Sequence, residues 1–166
     1  ISAIILVNPL VMFFIAPLSG YLSDKIGPKK VTLTGIFIII CSMFLMIQFN
    51  ENTSRLFLVS SLFIFGFASG TFNSPNTTLV MSTVPAKDLG ITGSINSLIR
   101  NLGMASGTSI STSILYHQMS KLAGYKVKDI VYGSFVYGMK SVFVVLLIFS
   151  FVSFIISNID RKINNY

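Results

Sequence analysis

Long apolar blocks separated by short polar breaks dominate the pattern along this chain. Five blocks, at about residues 1–22, 31–49, 54–81, 89–116 and 137–157, each approach the ~20 residues an α-helix needs to cross a bilayer core. None reads as the short alternating strands of a transmembrane β-barrel. The expected fold class is therefore all-α, a polytopic transmembrane helix bundle of five spans. Pro9, Pro17 and Pro75 fall inside blocks, as do Gly66 and Gly70. Bilayer helices accept such residues where neighbouring helices re-satisfy the freed backbone groups, so the bundle should be bent and packed.

Composition agrees. Of 166 residues, 52% are apolar and 10% charged, against about 25% charged in a soluble domain. Mean hydropathy is +0.78. These values exclude an ordinary soluble enzyme and a disordered tail, and the lone Cys41 excludes an internal disulfide framework. The net charge of +7 raises nucleic acid as a partner. The Lys and Arg residues sit between apolar blocks instead of forming a stripe, however, which is the distribution of membrane flanks. The expected surroundings are the lipid bilayer of a cell membrane. No paired carboxylates, His/Cys metal spacing, nucleophile triad or phosphate-binding glycine loop occurs, so no cofactor, metal or enzymatic activity is expected.

Sidedness is less direct. Lys25, Lys29, Lys30, Lys87, Arg161 and Lys162 fall on one side, and Arg55, Lys121, Lys126, Lys128 and Lys140 on the other. The cluster between Lys25 and Lys30 tilts its side towards the cytoplasm. Ile1 opens directly in apolar sequence with no basic segment before it, so the first block does not read as a signal peptide. The expectation is a piece of a longer protein with further helices upstream.

The richest stretch is Gly20-Tyr-Leu22-Ser23-Asp24-Lys25-Ile-Gly27-Pro28-Lys29-Lys30. Gly20 permits close helix approach, Gly27 supplies a tight turn, and Pro28 suits a helix start. The lysines face lipid headgroups or phosphates. Asp24 near a helix C-terminus opposes the macrodipole, so it calls for a cationic or N-terminal partner, as a latch between helices would supply.

Here the chain resembles the major facilitator superfamily, whose signature loop reads roughly Gly-x-Leu-(Ala/Ser)-Asp-(Arg/Lys)-x-Gly followed by basic residues. Gly20, Leu22, Ser23, Asp24, Lys25, Gly27, Lys29 and Lys30 match it, and Pro28 replaces the first basic position. The resemblance implies a cytoplasmic gating loop between the second and third helices of a six-helix half. Four blocks follow the loop, which implies a partial major facilitator fold, helices two to six of the C-terminal half. The stretches from Gly66 to Pro85 and from Gly93 to Gly103 resemble the fourteen-helix drug/proton antiporters.

Within the blocks, polar residues gather on faces. At 100° per residue, Gly93, Asn96, Arg100, Gly103, Gly107 and Ser111 share a stripe of about 80° on the fourth helix. Gly66, Ser69, Gly70, Asn73, Asn76 and Thr77 share about 120° on the third. Asn73 and Arg100 stand at similar depths, roughly 18–22 Å from the turn between them. Arg100 is the one intramembrane charge. At the bilayer centre it costs at least about 2.5–3.5 kcal/mol, so it must meet a cavity or a partner. One reading has Asn73, Asn76, Asn96 and Arg100 lining a substrate pathway. The other has Arg100 bonding carbonyls freed by Pro75 or Gly70 and stapling two helices. The pairs Gly66/Gly70 and Gly103/Gly107 read as helix-packing faces, and the polar outer half of the fourth helix should be enclosed by protein.

The five acids, Asp24, Glu51, Asp88, Asp129 and Asp160, lie in loops or at helix ends. Coupling carboxylates for a proton-driven process would belong to the missing N-terminal half. The resemblance implies a secondary transporter working by alternating access, exporting amphipathic, often cationic small molecules. The alternatives are a non-transporting small membrane protein and an importer of sugars or metabolites.

Overall fold

Two helices meet at a single glycine. In the computed structural model, which describes residue 4, residues 6–125 and 134–163, and side chains as far as 159, α1 spans Val7–Ile26 and α2 spans Pro28–Ile47. Gly27 lies between them at φ 92°, a conformation that side-chain-bearing residues avoid. Its N–H donates to the Ser23 carbonyl at 2.9 Å. Pro28 then opens α2, where a missing N–H leaves no intrahelical bond unmade. α3, Arg55–Ser82, is capped by Ser54, whose hydroxyl accepts from the Phe57 N–H at 3.3 Å. A 3₁₀ turn at Ala86–Asp88 leads into α4, Leu89–Ala123, and α5 spans Ser134–Ile163. No strand occurs among the described residues.

Two helices outrun their apolar blocks. α4 continues past residue 116 to Ala123, so His117 is helical, and Gly124 at φ 76° then accepts the chain into a left-handed cap. α5 begins at Ser134 and ends at Ile163, beyond the block at 137–157. Hydropathy marks the length immersed in lipid, whereas a helix continues until a residue breaks it. Ile1, Lys126, Lys128 and Asp129, and the side chains of Asp160, Arg161 and Lys162, lie outside the described residues.

The contacts order the helices α1, α3, α2, α5, α4 across the bundle, with α1 also touching α2. α2 is the core, burying Val31, Leu33, Ile36, Ile40, Met43 and Met46. The α2 and α5 axes run antiparallel, since the Phe37–Phe154 and Phe49–Phe143 rings meet at 6.4 and 6.3 Å. At the same end as the second ring pair, Lys140 Nζ donates to Asn50 Oδ1 at 2.7 Å. Large apolar side chains such as Phe13, Phe14, Phe44, Leu56 and Ile148 point outwards, as they must where the solvent is hydrocarbon. Cys41 is also exposed, on the outside of α2 and not in its packed seam.

Among the described residues, α2, α3 and the stretch Ser134–Ile159 of α5 are long and apolar enough to cross a membrane. α4 falls outside that group but bridges the same depth. Gly93 near its start lies beside Met81 at the end of α3, and Leu115 and Met119 near its end lie against Gly138 at the start of α5.

Candidate functional site

Pro75 is buried in the C-terminal third of α3, and its missing N–H leaves the Thr71 carbonyl without its helical donor. Ser19 of α1 fills the place, donating its hydroxyl to the Thr71 carbonyl at 3.0 Å inside the protein. The staple across this proline is therefore a serine of α1, not Arg100. α1 lies this close because α3 offers glycines along the seam. A Cβ on Gly66 would stand 2.8 Å from the Asn8 carbonyl oxygen, and one on Gly70 3.0 Å from Ile15 Cβ. Gly20 of α1 reciprocates, facing Ser74 Oγ. On the opposite side of α3, Gly35 of α2 receives the Phe72 backbone, with Cα and N both 2.9 Å from where a Cβ would be.

The basic turn is built differently from a closed latch. Asp24 sits in the last turn of α1, exposed, and pairs with no side chain among the described residues. Lys25 covers the Tyr21 ring one turn earlier, with Nζ 4.6 Å from the centroid, a cation–π contact along one helix face. Lys29 is half-buried, and Lys30 is exposed at the start of α2. Ser23, 1% exposed, has a hydroxyl with no hydrogen-bond partner among the described residues.

The polar face expected on α3 divides between neighbours. Gly66 and Gly70 meet α1. Asn73 turns back on its own helix, donating Nδ2 to the Ser69 carbonyl at 2.9 Å. Asn76 instead lines a cleft of about 470 Å³ between α2, α3 and α5, with Thr32, Phe72, Phe149 and Ser153 among its walls.

On α4 the stripe turns towards α5 instead of α3. Gly103, Gly107 and Ser111 line a cavity of about 290 Å³ whose far wall is Val142, Val145, Leu146 and Phe149. A Cβ on either glycine would meet nothing within 4 Å, so this seam is open where the α1–α3 seam is closed. Phe149 belongs to both the cavity and the cleft. Asn96 is half-buried, whereas Arg100 is exposed, with no hydrogen bond or ion pair to any described residue. Asn73 and Arg100 do share a level: Arg100 lies seven residues beyond Gly93 and Ser74 seven before Met81, the pair that joins the two helices. No hydrogen bond joins them, and Gly93 meets Met81 beside the connecting turn.

In the outer half of α4, Ser106, Thr108, Ser109, Thr112 and Ser113 are exposed and not enclosed, while Met119 is buried against α5. Hydroxyls of this half are satisfied locally: Ser106, Thr108 and Ser109 donate to the carbonyls of Leu102, Met104 and Ala105 at 2.6–3.0 Å. Such back-bonding lets serine and threonine face hydrocarbon without a protein partner. The residues that sequence reasoning missed are Ser19, Gly35, Gly138 and the Lys140–Asn50 pair. Pro75 could have pointed to a hydroxyl donor on another helix, although nothing local named Ser19.

A helix bundle with apolar side chains outside, hydroxyls returned to their own helices and small residues at its closest seams is a polytopic membrane protein. The family model of the Major Facilitator Superfamily matches residues 1–159, and the chain belongs to that family. It is 34% identical over 114 residues to the riboflavin transporter RibZ of Clostridioides difficile (strain 630), covering 69% of this chain and 25% of that protein. It is 30% identical over 101 residues to the multidrug resistance protein Stp of Mycobacterium tuberculosis, covering 61% of this chain and 19% of Stp. A match to the uncharacterized MFS-type transporter YcnB of Bacillus subtilis (strain 168) covers 95% of this chain and 33% of that protein at 23% identity. The chain thus spans about a third or less of these relatives. No solved structure gives a significant match.

Proposed function

We propose that this chain is part of a secondary transporter working by alternating access, with proton-coupled efflux of amphipathic drug-like compounds as its activity. In this reading all five helices cross the membrane as helices two to six of the C-terminal half. They form one wall of a midplane site that an N-terminal half completes. The observation that carries it is Arg100, a charge about three turns into α4 with no partner among the described residues. Such a residue is costly in lipid unless it faces a water-filled path or a ligand. The likeness to Stp supports efflux of drugs. Asp24, Glu51 and Asp88 all stand at helix ends or turns, so coupling carboxylates fall to the rest of the transporter. Asp24, Lys25, Lys29 and Lys30 form the cytoplasmic gating loop around Gly27, and Asp24, which pairs with no side chain among the described residues, is the latch of that loop.

The test is Arg100→Ala in the intact protein, reading dye efflux from loaded cells beside the amount of protein in the membrane. Transport is expected to be abolished at unchanged insertion; wild-type rates would remove Arg100 from the pathway. The likeness to RibZ favours a second reading, carriage of a heteroaromatic metabolite. Competition of riboflavin with dye efflux separates the two.

A further inference from the structure

The cavity between α4 and α5 and the charge of Arg100, one turn before it on α4 and unpaired among the described residues, have complementary chemistry. The cavity is walled by Gly103, Gly107 and Ser111 on one side and Val145, Leu146 and Phe149 on the other. At 1.5 Å per residue, Arg100 lies about 4.5 Å along α4 from Gly103 and about 10 Å from Gly107. On the helical wheel it falls within about 60° of both, one turn before the first residue that lines the cavity. Two polar side chains, Ser153 and Asn76, stand near its level, in the neighbouring cleft. Ser153 is as far beyond Gly138 on α5 as Arg100 is before Leu115 on α4, and Gly138 and Leu115 are in contact. Asn76, two residues from Ser74 on α3, lines the neighbouring cleft together with Ser153 and Phe149.

Arg100 has no counter-charge within this set. Ser19 already occupies the carbonyl freed by Pro75, and Asp24, Glu51 and Asp88 lie at the ends of helices or in turns. A guanidinium one helical turn from an apolar cavity attracts a carboxylate, sulfonate or phosphate with bidentate hydrogen bonds and repels a cation. We propose that the α4–α5 cavity, with Arg100 at its mouth, binds an amphipathic organic anion: its ring or chain packs against Phe149 between the helices, and its anionic group sits on Arg100. The glycines at 103 and 107 keep the space open, and Ser106 and Ser111 are the hydroxyls among its walls. This rests on the transporter reading and narrows it, because it reverses the cationic preference that the family resemblance implies.

Carboxyfluorescein and rhodamine 123 share a xanthene ring system and differ in charge, so they serve as probes. Binding is measured by fluorescence anisotropy on the intact protein in uncharged detergent, and movement by dye flux in proteoliposomes. The expected result is saturable carboxyfluorescein binding that Arg100→Gln weakens by about tenfold or more, as loss of a charge-assisted hydrogen bond implies. Arg100→Lys should restore much of it, Arg100→Glu should exchange the preference to rhodamine 123, and Gly107→Leu should block the anion by filling the cavity. Because Arg100→Glu gains a ligand, misfolding cannot produce that outcome. Rhodamine 123 bound or moved in preference, with no response to Arg100→Gln, overturns the anion site and leaves the transporter reading intact. Carboxyfluorescein bound with Arg100 dependence but never moved supports the site and overturns transport. Anionic phospholipid retained by the purified protein, lost in Arg100→Gln and not displaced by carboxyfluorescein, makes the charge a lipid contact and overturns the proposal.

Discussion

Pro75 lacks an N–H, and the carbonyl it strands on Thr71 is answered from another helix by Ser19 at 3.0 Å. The pair makes a prediction at the scale of single residues. Ser19→Ala should lower stability by about 1 kcal/mol, the usual worth of an interhelical hydrogen bond in a membrane. In a Pro75→Ala background the restored N–H closes the α-helical bond, and the Ser19→Ala penalty should shrink towards zero. Thermal unfolding of the four variants in detergent checks this double-mutant cycle; an equal penalty in both backgrounds would refute the coupling. Gly27 is the other residue with a local demand. At φ 92°, Gly27→Ala should cost on the order of 1 kcal/mol from backbone strain alone, since a Cβ there meets nothing within 4 Å.

Among elements, the contrast lies between closed and open seams. α3 touches α1 at Gly66 and α2 at Gly35 so closely that an added Cβ would collide with backbone at 2.8 and 2.9 Å. Backbone yields less readily than a side chain. Gly35→Ala and Gly66→Ala should therefore destabilise by about 1–3 kcal/mol, read as lowered melting temperature in detergent. Gly103→Ala, on the open α4–α5 seam, should leave the melting temperature unchanged or raised, since alanine also has the higher helix propensity. If all three behave alike, the seams do not differ as described. The spacing of Gly66 and Gly70 and that of Gly103 and Gly107 is identical in sequence, and nothing in either motif tells a filled groove from an empty one. Only the neighbour supplied by the fold separates them.

At the scale of the whole molecule, α4 is the informative helix. Its serines, threonines and glycines keep it out of the group apolar enough to cross a membrane. Its contacts at both ends nevertheless oblige it to cross the same depth as α3 and α5. A cysteine at Lys87 and one at Asn52, each in a Cys41→Ala background, should accordingly be labelled by impermeant maleimide from opposite faces of sealed vesicles. Labelling from one face would break the topology. The same helix shows where sequence reasoning stopped. The stripe of Asn96, Arg100, Gly103 and Gly107 was legible as a polar face because helical period is a local property. Its direction was not: a shared pathway with Asn73 and Asn76 and a staple onto α3 were both open, and the glycines of the stripe look to α5. Arg100 and Asn73 share a level, as counting from the turn had required, and depth is likewise local arithmetic.

The chain's sequence by itself determined that this is an all-α membrane protein of the Major Facilitator Superfamily. Runs of apolar residues, the breaks between them and the Gly20–Lys30 motif are all read without knowing any neighbour. The tertiary structure decided which helix each face meets: Ser19 on Thr71, Phe72 in the groove at Gly35, and a cavity where Gly103 and Gly107 might have been packed. The physical reason is the solvent. In water, burial marks the inner face of a helix by its apolar residues. In a bilayer, lipid and protein interior are equally apolar, so lateral neighbours are chosen by close packing and a few hydrogen bonds, which are properties of pairs of helices and not of any one segment.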